Sequence, residues 1–188
     1  MTDDQDGIQP LGCVTGRFQP VHAQHAGLFQ IALAECRHLI VAVTNADPAA
    51  RRQEPASAHR HTASANPFTY FERARLLEAL LRDRAASGRI TIVPFDLGRP
   101  EAWSHYVPLS ARQYVRTYGD WERYKAQQLE AAGYAVKSLN GDPRGRITAN
   151  DIRARMRAAD ASWRSLVPPP TVALLDEFLT RAPMAGRA

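Results

Sequence analysis

Two short apolar runs, "LGCVT" at 11–15 and "HLIVAVT" at 38–44, restrict this chain more than any other feature. Between them, "AGLFQIALAECR" sets Leu28, Ile31, Ala32 and Cys36 at the spacing of one helical face. Strand, helix and strand so close together read as one crossover unit of a parallel sheet. The second run is too apolar for an edge strand and fits a strand covered on both faces. Gly16, just after the first run, marks a tight loop.

The pattern continues. "NPFTYFERARLLEALLRD" reads as a helix, with Pro67 suited to a first turn and Thr69 and Glu72 at capping-box spacing. Leu76, Leu77, Leu80 and Leu81 form its apolar face. "RITIVPF" is a third strand, "YAVKSL" a further one, and "QYVRTY" lies in an ambiguous stretch that a strand would complete. "DWERYKAQQLEAAG" is a helix that Gly133 can end. "TANDIRARMRAA" and "PPTVALLDEFLTR" are closing helices. Alternating elements imply an α/β fold with a parallel sheet, helices on both faces and C-terminal helices. Ligands of such folds lie at the carboxyl ends of the strands.

One domain accommodates the 188 residues. Residues 1–10 and 182–188 are expected to be flexible, and 46–65 to form a long loop rich in Ala, Pro, Ser, Arg and His. The net charge of +5 suits anionic ligands without choosing among them. Basic residues are not interleaved with aromatics, which argues against nucleic acid as a partner. No run is long and apolar enough to span a membrane, and the acidic start "MTDDQDG" does not resemble a signal peptide. Cys13 and Cys36 read as buried free thiols, and a reducing cytoplasm is expected.

The chemistry gathers in "TGRFQPVHAQH", Thr15–His25. It follows a strand and opens a helix. The unpaired N–H groups and partial positive charge of a helix start suit phosphate. His22 and His25, at i and i+3, share one face there and can stabilise growing transition-state charge. Taken alone, the pair is equally a polar helix start; no Cys or acidic cluster supports a metal site. In "GRITANDIRARM", Thr148 and Asn150 begin a helix bearing Arg153. The segment reads equally as a helix cap and as a second anion site.

"GRFQPVHAQH", "NPFTYFER" and "ITANDIR", in this order, resemble the HxGH nucleotidyltransferase superfamily, above all the archaeal type of nicotinamide mononucleotide adenylyltransferase. The resemblance covers roughly Leu11 to Leu179. It implies a Rossmann-like fold in which a phosphorylated acceptor attacks the α-phosphate of a nucleoside triphosphate and pyrophosphate leaves. It assigns His22, His25 and Arg153 to catalysis, and Gly16, Arg17, Phe18, Gln19, Thr148 and Asn150 to the nucleotide. Mg²⁺ would ride on the phosphates. Homo-oligomers are common in that family.

The departures concern the acceptor. Gln24 stands where the signature has Gly. Trp103 in "RPEAWSHYV" matches a Trp that faces nicotinamide in the family, but Pro100 replaces the Asn that reads the amide. The family's Ser-x-Asn-Pro segment is not recognisable, and "TYGDWERYKAQ" stands near its place. The long loop carries Arg51, Arg52, His59, Arg60 and His61, which could clamp negative charge. Relatives that transfer CMP from CTP to phosphonates in natural-product pathways are therefore an alternative. The acceptor candidates are Trp103, Arg51, Arg52, His59 and His61.

Overall fold

The computed structural model describes residues 8–52 and 60–184. Strands β1 (Gln9–Gly16), β2 (Cys36–Thr44), β3 (Ile90–Phe95), β4 (Arg112–Thr117) and β5 (Val136–Asn140) form one parallel sheet in the order β3-β2-β1-β4-β5. The helices are α1 (Ala23–Glu35), α2 (Tyr70–Leu80), α3 (Arg82–Ala86), α4 (Trp103–Tyr106), α5 (Asp120–Ala131), α6 (Ala149–Arg157) and α7 (Pro169–Arg181). They cover both faces, and the fold is Rossmann-like.

The period-two alternation of the strands divides the core. Val14, Leu39, Val41 and Val43 point to the face packed with Leu76, Leu77, Ile152 and Leu175. Cys13, Ile40 and Ala42 point to the face packed with Trp103, Leu129 and Tyr134. Each of the Val, Leu and Ile side chains stabilises the fold by about 1.5–3 kcal/mol when fully buried. Burial pushes the Cys13 thiol up to about 12, so it packs as an inert apolar group. The expected cap of α2 is present: Thr69 Oγ1 accepts the Glu72 N–H at 3.2 Å, and Glu72 Oε2 accepts the Thr69 N–H at 2.9 Å.

Three expectations are corrected. Cys36 opens β2 rather than closing the helix; it pairs with Gln9, and α1 runs straight into the strand. Ladder pairing outweighs the helical spacing there. Gln9 and Pro10 belong to β1 rather than to a flexible end. Met184 is 7% exposed in the larger core, so the chain stays packed beyond α7. The flexibility expected of 1–7 and 185–188 lies outside the described residues. Within 46–65, the described parts form single turns at Pro48–Ala50 and Ala63–Ala65, capped by Asp47 and Thr62. Among the described residues no helix is long and apolar enough to cross a membrane.

Candidate active site

β1 pairs with β2 as far as Gly16↔Val43, but with β4 only at Gly12↔Arg112 and Cys13↔Gln113. Beyond Cys13 the two strands have no ladder pair, at the point where the strand order reverses. A cavity of about 670 Å³ opens there. Side chains replace the missing ladder: Thr15 Oγ1 donates to Gln113 Oε1 at 3.2 Å, and Lys125 Nζ donates to the Thr15 carbonyl at 3.0 Å.

His22 is the N-cap of α1, and both histidines line the cavity. Their rings lie 3.7 Å apart, tilted by 30°. His25 Nδ1 accepts the His22 backbone N–H at 3.2 Å. A neutral His25 therefore carries its proton on Nε2, as a donor. Burial, with Arg146 adding repulsion, lowers the His22 pKa to about 3. Burial also holds His25 well below its ordinary value, reinforced by His22, Lys125, Arg116 and Arg17. Both rings are thus neutral hydrogen-bonding groups near neutral pH.

The preceding loop is built around Phe18. It takes a positive φ of 51° and tucks its ring under Gly16, where an added Cβ would lie 2.9 Å from Phe18 ring atoms. That ring meets the His25 imidazole edge-on at 5.0 Å. The need for glycine at 16 thus arises from this ring, and Phe18 acts as a prop for His25. Gln19 spends both ends of its amide on Phe68, donating to its carbonyl at 2.8 Å and accepting its N–H at 2.9 Å. Arg17 lines the cavity and donates to the Arg60 and Ala65 carbonyls at 3.1 and 3.3 Å. Arg73, 1% exposed, donates to the carbonyls of Thr44, Arg17, Asn45, Ala46 and Thr69, tying the ends of β1 and β2 to α2.

Thr148, Asn150 and Arg153 line the opposite wall. Thr148 caps α6, accepting the Asp151 N–H at 3.1 Å. Arg153 donates to the Gln19 carbonyl at 2.7 Å and to Asn150 Oδ1 at 3.4 Å, while its Nε has no partner among the described residues. The cap and the anion-facing position therefore coexist in one segment.

Arg60, Arg116, Lys125, Arg146 and Arg157 also line the cavity, and among the described residues Glu122 is the one carboxylate that lines it. Glu122 is held by Arg146 at 2.6 Å and by the Gly119 N–H at 3.0 Å. Such a wall favours a polyanion. Among the described residues, no three potential metal ligands cluster.

The acceptor candidates do not gather here. Trp103 and Arg52 line a second cavity of about 290 Å³ beyond β2 and β3. Trp103 is 3% exposed, packs between Phe95 and Tyr134, and donates its indole N–H to the Asp96 carbonyl at 2.8 Å. Arg52 lies 3.6 Å from Asp96. Arg51 reaches the Asn66 carbonyl at 3.5 Å, and His61 is half-buried; neither lines either cavity. His59 lies outside the described residues. The sequence reading missed Arg116, Trp121 and Lys125. The last two sit at i, i+4 on α5, with Trp121 stacked under Arg60 at 4.6 Å. That spacing was the available signal.

The cytidylyltransferase-like family profile matches residues 13–128. Phosphonoformate cytidylyltransferase of Streptomyces viridochromogenes is 32% identical over 171 residues, covering 90% of this chain and 92% of the relative. Nicotinamide-nucleotide adenylyltransferase of Caldivirga maquilingensis is 27% identical over 168 residues, covering 88% and 87%. A crystal structure of a bifunctional NMN adenylyltransferase/ADP ribose pyrophosphatase from Francisella tularensis, complexed with AMP and manganese, shares the fold, with a TM-score of 0.65 at 14% identity. The match covers 95% of this chain and 51% of that protein, so the chain spans about half its length. The switch-point cavity, its paired histidines and these relatives agree: the chain belongs to the cytidylyltransferase-like family and is a nucleotidyltransferase.

Proposed function

We propose that this enzyme transfers CMP from CTP to a small phosphonate, with release of pyrophosphate. The observation that carries the choice of acceptor is the burial of Trp103. It packs against Phe95 and Tyr134, its N–H is spent on Asp96 and it is 3% exposed, which leaves little ring surface for nicotinamide. Pro100 supplies no side-chain hydrogen bond for an amide. The similarity to phosphonoformate cytidylyltransferase points the same way.

The reaction needs positioning and charge stabilisation more than covalent chemistry. The triphosphate lies between the N-termini of α1 and α6. An acceptor oxygen attacks the α-phosphorus, the bond to the bridging oxygen breaks, and pyrophosphate departs. His25 Nε2–H and His22 donate to the α-phosphate oxygens as charge grows, while Arg153, Thr148 and Asn150 hold the leaving group. Arg17 and Phe18 shape the loop under the nucleotide. Arg116 and Lys125 face the acceptor's negative charge. Mg²⁺, when bound with the triphosphate, would supply charge neutralisation for the departing pyrophosphate. Among the described residues the cavity's one carboxylate, Glu122, is committed to Arg146, so Arg153, Thr148 and Asn150 would hold the metal indirectly, through the phosphates they bind.

A second reading, AMP transfer to nicotinamide mononucleotide, is favoured by the second cavity, where Trp103 lies with Arg52, Arg99 and Tyr106. A grid of the common nucleoside triphosphates against nicotinamide mononucleotide, phosphonoformate and simple alkylphosphonates, read by pyrophosphate release, separates the two. Turnover with CTP and a phosphonate is expected. Faster turnover with ATP and nicotinamide mononucleotide would overturn the proposal.

A further inference from the structure

Gln24 occupies the position at which the signature has glycine, and its amide makes three hydrogen bonds. Oε1 accepts the Tyr118 hydroxyl at 2.9 Å and the Ile147 N–H at 3.0 Å, while Nε2 donates to the Gly145 carbonyl at 2.8 Å. Both lone pairs of the oxygen are used. The partners belong to the turn after β4 and to the loop joining β5 to α6, so one side chain on the first turn of α1 gathers both. That loop is polar, and Gly141 to Arg146 are half-buried or exposed. The loop is also tied by Arg146 to Glu122 at 2.6 Å and by the Gly141 N–H to the Thr117 carbonyl at 2.9 Å, and two packing contacts run through Tyr118. An added Cβ on Gly141 would lie 2.2 Å from the Tyr118 ring, and Arg146 stacks on the ring at 4.7 Å.

We propose that Gln24 is a positioning residue, a latch that fixes the loop leading into α6 against the catalytic end of α1 before a triphosphate binds. The inference rests on the reading that His22 and His25 on α1 and Thr148, Asn150 and Arg153 on α6 grip one triphosphate. A ligand held from two helix ends binds best when their separation is set beforehand, because no ordering cost falls on the binding step. Glycine at 24 reaches none of the three partners. Glutamate keeps the two acceptor contacts but loses the donor to Gly145 and adds negative charge to a phosphate site.

The test uses Gln24→Met, which keeps the length of the side chain and removes all three bonds, and Tyr118→Phe, which removes one. Hydrogen exchange of the Ile147 amide reads the latch directly and should accelerate about tenfold or more in Gln24→Met. The KM for the triphosphate should rise about tenfold, with a smaller change in kcat and an unchanged KM for the acceptor. Tyr118→Phe should shift both readouts in the same direction by a lesser factor. Unchanged exchange and unchanged KM in a folded Gln24→Met protein would overturn the proposal. If that variant does not fold, wild-type exchange and KM in Tyr118→Phe overturn it. Calorimetric titration of the wild type with inorganic tripolyphosphate tests the grip separately. Absence of binding there would refute the triphosphate reading, whereas Ile147 exchange alone judges the latch.

Discussion

Replacing His22 with asparagine should remove a pH-dependent part of the folding stability. Burial is the main cause that lowers the folded-state pKa to about 3, and Arg146 adds to it; the ordinary value is 6.5. Between those values the unfolded chain binds a proton that the folded chain does not, so stability rises with pH. The contribution is complete above the ordinary value and is lost as pH falls below it. Each pH unit in that window is worth about 1.4 kcal/mol, so going from about pH 8 to pH 5 costs about 2 kcal/mol through His22. His25 acts in the same direction. Against a typical total of about 5–15 kcal/mol, the loss is measurable. Urea unfolding of the wild type and of His22→Asn across that range provides the assay. The wild type should lose about 2 kcal/mol more than the variant on acidification. Parallel pH dependences would refute the reasoning, because they would mean that His22 is solvated or already charged in the folded state.

Other substitutions separate chemistry from architecture. His22→Ala and His25→Ala should each lower kcat by about 10²–10³ with an unchanged far-ultraviolet circular dichroism spectrum; near-normal turnover in both would remove the active-site assignment. Arg73→Met strands carbonyls that the guanidinium now serves at 2.7–3.2 Å and should cost about 3–5 kcal/mol by calorimetry. A loss under about 1 kcal/mol would show that those carbonyls find other donors. Trp103→Ala should cost about 3–5 kcal/mol of stability while leaving the KM for a small phosphonate within about twofold. A raised KM without destabilisation would return that ring to the acceptor site.

The sheet was legible because its central strands are covered on both faces. Leu39 to Thr44 are all buried, which is why "HLIVAVT" stands out as a continuous apolar run. β4 was harder to read, since Arg116 and the fully buried Gln113 interrupt the pattern. Both polar residues exist for the cleft: Gln113 meets Thr15 where the ladder ends, and Arg116 lines the cavity. The polarity that obscured the strand is thus part of the site. The histidine pair and the α6 segment were legible because each lies within one short stretch. Trp103 kept its place in the motif spacing, but spacing does not fix a side chain's direction, and the indole turns inward to Asp96. Trp121 and Lys125 share one face of α5 by their local spacing, but that this face and Arg116 meet the loop after β1 follows from the β1–β4 adjacency, which no local pattern encodes.

The protonation of the histidines connects architecture with reaction. Burial is the main cause that holds the His25 pKa down, and His22, Lys125, Arg116 and Arg17 add to it, so the cations that suit a polyphosphate also help to keep the imidazole neutral. Charge and hydrogen bonding are thereby divided between residue types. Arginines, which do not deprotonate in this range, supply fixed positive potential. The His25 imidazole supplies a directed Nε2–H donor whose tautomer is set by the His22 N–H on its other nitrogen. A charged histidine pair 3.7 Å apart would repel itself and the wall around it. A neutral pair costs nothing of that kind in the free enzyme and still offers a donor where charge develops on the α-phosphate.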